Sequence, residues 1–300
     1  MVGRYLFSGF NSCIKYMNTH IGFIGQGFIG KNMADNFVER GYDVVRYALE
    51  PQYADNKAAI NDCDIVFIAV PTPTKPDGFC SAALEAVLPL VGQGKTAVIK
   101  STILPGTTRR LQLAFPDITL MHSPEFLREK QAAEDTRRPE RTIIGVVEDN
   151  KAVQQAAQAV QVVLPPSTYN LICTAEEAEL IKYGGNTFLA MKVIYMNLLY
   201  EMTEALGVDY QVVADAMGAD PRIGSGHMNV IDSSGHPGAV AGRGAGGHCF
   251  PKDLAALRES YEALVRNESG TALLRSLETK NNELLRNSHK DLDLLEGIYG

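Results

Sequence analysis

The chain has 300 residues, 45% of them hydrophobic and 21% charged, with 27 glycines and 14 prolines. That composition excludes fibrous and low-complexity classes and leaves room for one large or two medium domains. A formal net charge of −7 argues against a nucleic-acid groove or an anionic membrane surface as the main partner, and no apolar run approaches the ~18 residues of a membrane span. The cysteines (Cys13, Cys63, Cys80, Cys173 and Cys249) number five and lack CxxC pairing. Neither a disulfide framework nor a metal site is expected, and a reducing, cytoplasmic compartment is.

Residues 1–19 read as an N-terminal extension. They are too broken for a secretory signal, and the start is open between Met1 and Met17. His20–Ile24 is a short apolar run ending in glycines and predicts a strand. Phe28–Arg40 follows with Ile29, Met33 and Phe37 at helical spacing. Asp43–Leu49 predicts the second strand. Asp64–Val70 (DIVFIAV) is almost wholly apolar, as a parallel strand buried on both faces should be. Pro71–Gly78 is a loop by its prolines. Helix over Ser81–Val91, strand over Thr96–Lys100, helix over Gly106–Ala114 and strands over Ile118–Met121 and Arg141–Val147 complete the alternation. Strands alternating with helices imply βαβ units: an N-terminal Rossmann-type, doubly wound parallel sheet over residues 20–173.

From Ala175 to Leu206 a proline-free stretch with helical apolar spacing predicts one long helix. Helices over Asp209–Met217, Leu254–Leu264 and Thr271–Leu285 follow, around a glycine-rich stretch at Gly224–Gly247. Residues 174–300 therefore read as an all-helical domain built on that long helix. Without a covering partner its apolar face would be exposed, which suggests a homodimer.

Two constellations carry chemistry. Gly25-Gln26-Gly27-Phe28-Ile29-Gly30 follows a strand and opens a helix. Gly25 permits the turn, Gly27 the approach of a pyrophosphate and Gly30 close helix–strand packing, with the anion at the helix N-terminus. An acidic residue ending the second strand should hold the ribose; Ala48 stands there, and Glu50 two residues on could serve from the loop. Arg46 raises NADP as the alternative to the favoured NAD. The second constellation is Gly244-Ala-Gly-Gly-His-Cys-Phe-Pro-Lys-Asp253. Cationic neighbours and a helix start near Asp253 would favour a Cys249 thiolate; the bland alternative is a small buried thiol in a loop. Ser101-Thr102 and Ser123–Glu129 each follow a strand at the end where open sheets hold ligands. Lys182 and Asn186, spaced i, i+4, share a helix face.

The motifs GQGFIG, VPTPT (Val70–Thr74), STILPGT (Ser101–Thr107), SPEFLRE (Ser123–Glu129), EAELIKYGGNTFLAMKV (Glu177–Val193), RIG (Arg222–Gly224) and GAGGHCFPKD (Gly244–Asp253) occur in that order. Together they resemble the UDP-glucose/GDP-mannose (nucleotide-sugar) 6-dehydrogenase family. The resemblance implies a four-electron, NAD-dependent oxidation of a sugar 6-hydroxyl to a carboxylate through a thiohemiacetal and thioester on Cys249. It implies that Asp253 handles protons and water, that Lys182 and Asn186 stabilise oxyanions, and that Thr102 and Glu125 form an acid/base or water-positioning pair. Val70, Pro71, Thr72, Ser101, Thr102 and Glu129 would join the cofactor site. Phe126, Leu127, Arg128 and Gly246 would touch the nucleotide sugar with Glu125, Lys182 and Asn186, while Arg222 would reach the substrate of a partner subunit.

Departures from the family pattern are Ala48, Leu198 after Asn197, the Gly184-Gly185 pair, and a C-terminus too short for the usual nucleotide-binding domain. Two other readings stand beside this one. A two-electron β-hydroxyacid or 6-phosphogluconate-type dehydrogenase needs no cysteine. A non-catalytic NAD-binding module would produce no NADH.

Overall fold

Short runs of β-branched and aromatic residues form the strands of a sheet covered by helices on its two faces. The structure, a computed structural model, describes residues 19–76, 78–128, 131–236 and 238–300. Met17, Cys13 and the site candidate Glu129 lie outside the described residues. In chain order the elements are β1 (Ile21–Ile24), α1 (Phe28–Glu39), β2 (Val44–Tyr47), α2 (Pro51–Ala54), β3 (Ile65–Ile68), β4 (Thr74–Lys75), β5 (Gly78–Phe79), α3 (Ala82–Val87), β6 (Thr96–Ile99), α4 (Thr107–Ala114), β7 (Thr119–His122), α5 (Ala132–Arg137), β8 (Arg141–Val146), α6 (Lys151–Val163), β9 (Tyr169–Thr174), α7 (Ala175–Leu206), α8 (Tyr210–Gly218), α9 (Phe250–Leu264), α10 (Glu268–Asn287) and α11 (Leu292–Tyr299).

The chain divides into two compact units: the described residues up to Thr72 with Cys80–Lys182, and Pro73–Phe79 with Tyr183–Gly300. The first holds a seven-stranded sheet of order β2-β1-β3-β6-β7-β8-β9. β1, β3 and β6 are buried along their whole length, which explains the unbroken apolar runs. Phe23, Phe37 and Phe67 form the centre of the core, with ring centroids 5.1–5.4 Å apart.

One feature departs from the expected all-parallel sheet. β8 runs antiparallel to β7, and β9 follows β8 in parallel. A parallel return needs a crossover that spans the sheet, usually a helix. The connection from β7 to β8 carries the six-residue α5, tied to α1 by Arg137 and Glu39 at 2.7 Å, and the chain re-enters the sheet antiparallel. The β8–β9 crossover has the 13-residue α6, N-capped by Asn150, whose Oδ1 accepts from Val153 N at 3.0 Å.

The second unit is helical apart from the β4–β5 hairpin and a bridge between Asp232 and Gly242. α7 begins in the first unit and continues into the second as one 32-residue helix, about 48 Å long at ~1.5 Å per residue. The Gly184-Gly185 pair does not interrupt it. It ends at Gly207, whose φ of 66° suits a residue without Cβ. α9 and α10 pack side by side, linked by Arg258 and Glu278 at 2.7 Å. Asn197 is fully buried and takes a structural role: its Oδ1 accepts from Arg243 Nε at 2.8 Å.

Candidate active site

In the first unit the strand order reverses between β1 and β3: the chain leaves β1 for β2 on one side and returns to β3 on the other. Open α/β sheets hold ligands at such a switch point, outside the carboxyl ends of the strands. Gly25 stands there with φ 89°; a Cβ on it would lie 2.3 Å from Ala69 O at the end of β3. A Cβ on Gly30 would lie 1.9 Å from Gly25 O. Both glycines are required by the protein's own packing. A Cβ on Gly27 would meet nothing within 4 Å. Gly27 is also the N-cap of α1 and provides no side-chain cap, so the helix N-terminus faces open space. That vacant approach is the shape a dinucleotide pyrophosphate requires, and the residues present fit NAD.

The neighbouring loops are stitched together. Ser101 Oγ donates to Val70 O at 2.6 Å, and Thr72 Oγ1 donates to Thr102 O at 2.7 Å. Pro71 and Glu50 are exposed. Glu50 precedes α2 as its N-cap. Arg46 is engaged with Asp35 at 2.6 Å, and Lys31 holds the same carboxyl at 2.7 Å. These cations keep the Asp35 carboxyl below the ordinary range despite partial burial. A guanidinium already paired in this way is a poor receiver for a 2′-phosphate, which favours NAD over NADP.

Further along the same sheet edge, Lys100 Nζ forms an ion pair with Glu125 Oε2 at 3.2 Å, and Lys182 Nζ donates to the Glu125 backbone O at 2.6 Å. Lys100 and Lys182 are both buried. Lys182 also lies 5.4 Å from the Phe126 ring centroid, whose face carries the Arg141 guanidinium at 3.8 Å. Leu127 is half-buried, and Arg128 pairs with Asp135. His122, fully buried at the end of β7, is held neutral: burial, then the charges of Lys100 and Lys182, push its pKa down to about 3.

Two buried groups here escaped sequence reasoning. Lys100 closes the apolar strand TAVIK, and a cation ending a buried strand was the signal. Glu179 lies three residues before Lys182 on α7. Its carboxylate accepts from Gly106 N at 2.6 Å, Thr108 N at 2.8 Å and Thr108 Oγ1 at 2.6 Å. It thereby caps α4 from outside the local sequence, which no capping motif reveals. Burial raises its pKa to about 7, against the pull of those donors.

In the second unit α9 begins at Phe250, three residues before the expected start, so Cys249 becomes its N-cap residue. Cys249 is half-buried there. Cys63 makes the contrast: burial, then nearby carboxylates, push its thiol up to about 11. One turn into α9, Asp253 is fully buried. Its Oδ2 accepts from Asn186 Nδ2 at 2.6 Å, and Lys252 pairs with its other oxygen. The geometry thus brings Asn186, Lys252 and Asp253 together one turn from Cys249. Arg222 is exposed and tied to Asp220 at 2.6 Å. Gly246 is packed by the chain itself: a Cβ there would lie 2.1 Å from Asp291 Oδ2.

The first unit thus has the form of a dinucleotide-binding oxidoreductase domain. More narrowly, the chain belongs to the UDP-glucose/GDP-mannose dehydrogenase family: that family's NAD binding domain profile matches residues 51–162 and its central domain profile residues 176–283. The UDP-glucose 6-dehydrogenase of Rhizobium meliloti (strain 1021) is 38% identical over 218 residues, 68% of this chain and 47% of that protein. UDP-glucose 6-dehydrogenase YwqF of Bacillus subtilis (strain 168) is 34% identical over 251 residues, 79% of this chain and 53% of that protein. The chain spans about half the length of these relatives. Among solved structures, a UDP-glucose dehydrogenase from Pyrobaculum islandicum matches 89% of this chain and 69% of its own, with TM-score 0.74 and 28% identity. The Mycobacterium tuberculosis 3-hydroxyisobutyrate dehydrogenase matches 94% of this chain and 98% of its own, with TM-score 0.68 and 18% identity, a likeness of fold alone.

Proposed function

We propose that the chain is an NAD-dependent dehydrogenase that oxidises the 6-hydroxyl of a nucleotide sugar to the carboxylate, as a UDP-glucose 6-dehydrogenase does. The observation that carries this reading is Cys249 at the N-terminus of α9, one turn from an Asp253 carboxylate held by Asn186. The two-electron reading gives a cysteine at that place no work.

Gly25–Gly30 with Glu50, Val70, Pro71, Thr72, Ser101 and Thr102 would hold NAD, which would serve as the hydride acceptor, two equivalents per sugar. Thr102 and Glu125 serve as the acid/base or water-positioning pair for the first alcohol proton, with Lys100 fixing Glu125. The Cys249 thiolate adds to the resulting aldehyde carbon and gives a thiohemiacetal oxyanion, which Lys182 and Asn186 stabilise as fixed donors. Loss of the second hydride leaves a thioester. Asp253 takes one proton from the attacking water, the C–S bond breaks with the thiolate restored, and the acid formed gives its remaining proton to solvent and leaves as the carboxylate. A covalent intermediate retains the reactive aldehyde between the two oxidations. Phe126, Leu127 and Arg128 would contact the nucleotide sugar. The role of Arg222 toward a partner's substrate belongs to the same proposal.

A homodimer belongs to this reading. On α7, Phe188, Tyr195 and Met202 recur every seven residues and are 66%, 53% and 59% exposed. A stripe at that period suits pairing with another helix. A cytoplasmic location belongs to the same proposal. No helix among the described residues is long and apolar enough to cross a membrane.

The test is NADH formation with UDP-glucose, UDP-N-acetylhexosamines, GDP-mannose and free sugar phosphates, counting NADH per sugar consumed. About two per sugar, abolished by Cys249→Ser, supports the thioester route. One per sugar, insensitive to Cys249→Ser, would establish the two-electron alternative, and no NADH with any sugar the non-catalytic one.

A further inference from the structure

The glycines ahead of Cys249 suggest a backbone that must approach a ligand. In the second unit they are instead filled by the chain's own C-terminal region. Gly244 has φ 91° and a Cβ on it would lie 3.1 Å from Leu284 Cβ on α10. A Cβ on Gly246 would lie 2.1 Å from Asp291 Oδ2 and 2.8 Å from Lys290 Cε.

The loop has no strand partner here, and side chains satisfy its backbone. Asn281 on α10 does so from both sides of one residue: Ala245 N donates to its Oδ1 at 2.7 Å, and its Nδ2 donates to Ala245 O at 2.9 Å. Lys290 Nζ donates to Gly244 O at 2.9 Å. Gly247 N donates to Asp291 Oδ2 at 2.6 Å. The other oxygen of Asp291 takes Ser234 Oγ at 3.1 Å and pairs with His236 Nε2 at 3.0 Å. Asn281, Lys290 and Asp291 are all buried. Asp291 holds the left-handed conformation (φ 53°, ψ 38°), which Asp adopts more readily than most residues. A buried carboxylate with donors on both oxygens is rigidly fixed, and charged acceptors make the stronger bonds.

We infer that Asp291 is a positioning residue for Cys249: through the Gly247 N–H it fixes the backbone that carries the thiol to the N-terminus of α9, with Asn281 and Lys290 holding the residues before it. This rests on the reading of Cys249 as the nucleophile. It reassigns the glycine at 246, whose missing Cβ makes room for a carboxylate of the same chain rather than for substrate.

The test is a double-mutant cycle of Gly246→Ala and Asp291→Ala, with Asp291→Asn as a nearly isosteric third variant. Three quantities are read: the melting midpoint, the rate of iodoacetamide alkylation at Cys249 followed by peptide mass spectrometry over neutral and alkaline pH, and NADH formation with UDP-glucose. Each single variant should slow Cys249 alkylation near neutral pH by about tenfold or more, through loss of the helix-terminal placement. The double variant should lose less than the sum of the two singles, because the closest contact of the added methyl, with Asp291 Oδ2, is then gone and only that with the flexible end of Lys290 remains, and contacting sites are expected to couple in this way. Should Asp291→Ala fail to fold, Asp291→Asn carries the alkylation measurement, since it keeps the bulk but meets the Gly247 N–H and its other donors with only one acceptor oxygen.

Unchanged alkylation in a folded Asp291 variant, or strictly additive effects of the two alanines, would overturn the assignment. If the wild type turns over UDP-glucose while alkylation ignores Asp291, the positioning role fails and the dehydrogenase reading stands. If no sugar is oxidised, alkylation and melting still decide the role of Asp291.

Discussion

Asn186 Nδ2, on α7, donates to Asp253 Oδ2, on α9, at 2.6 Å. The bond fixes a fully buried carboxylate and ties the helix that carries the proposed oxyanion donors to the helix headed by Cys249. Removing the donor leaves a buried charged acceptor with one partner fewer, a loss of about 1–3 kcal/mol. Asn186→Ala should therefore lower the melting midpoint and reduce kcat by about a hundredfold or more. Asn186→Asp should do worse on stability, because it sets two carboxylates against each other. Calorimetry with steady-state kinetics checks both.

Gly25 and Gly27 should separate packing from binding. A Cβ at Gly25 meets Ala69 O at 2.3 Å and the residue has φ 89°, so Gly25→Ala should destabilise the fold by at least about 1–3 kcal/mol. Gly27→Ala meets no atom of the protein within 4 Å and should melt like the wild type while binding NADH about tenfold or more weakly. Thermal melts and a fluorescence titration with NADH give the two numbers. Equal melting losses at both positions would refute the distinction.

His122 makes stability depend on acid. It is neutral in the fold down to about pH 3, whereas a free histidine titrates near 6.5. The unfolded chain therefore binds the extra proton first. The contribution of this residue is complete above about pH 6.5 and is lost as pH falls toward 3, at up to roughly 1.4 kcal/mol per pH unit. Urea unfolding at a series of pH values should show this slope, and His122→Leu should remove it.

Glu179 works in the opposite sense. Its carboxyl titrates at about 7 in the fold and near 4.3 in the unfolded chain, so here the folded protein binds the proton first. Its contribution is complete below about pH 4.3 and is lost as pH rises toward 7. The two groups nearly cancel between about pH 4.5 and 6.5. Glu179→Gln should expose the His122 slope there, with stability rising as pH rises. An unaltered pH curve in this variant would show that Glu179 stays ionised throughout.

The heptad-spaced stripe on α7 gives the dimer its test. Tyr195→Lys and Met202→Lys place charges on an already exposed face and so leave the protomer folded. If that face pairs with a second copy, the double variant should run as a monomer in sedimentation equilibrium at concentrations where the wild type is dimeric, since an uncompensated buried charge costs several kcal/mol. An unchanged mass would remove α7 from the interface.

Local pattern sufficed where one residue's surroundings follow from its near neighbours in the chain. The apolar runs of β1, β3 and β6, the turn at Gly25–Gly30 and the whole length of α7 are of this kind: backbone sterics and side-chain periodicity act over a few residues. The family was legible for a related reason, because the motifs keep their order and spacing. Tertiary structure decided what depends on distant partners. The reversal of β8 is a matter of how it pairs with β7, whose partner residues lie more than twenty positions away in the chain. Glu179 caps a helix some seventy residues away in sequence, and Lys100 and His122 share one buried charge environment. Gly246 answers to Asp291 across the C-terminal helices. Burial and pairing between remote segments set pKa values and loop positions, and those are properties of the folded chain that no window of sequence contains.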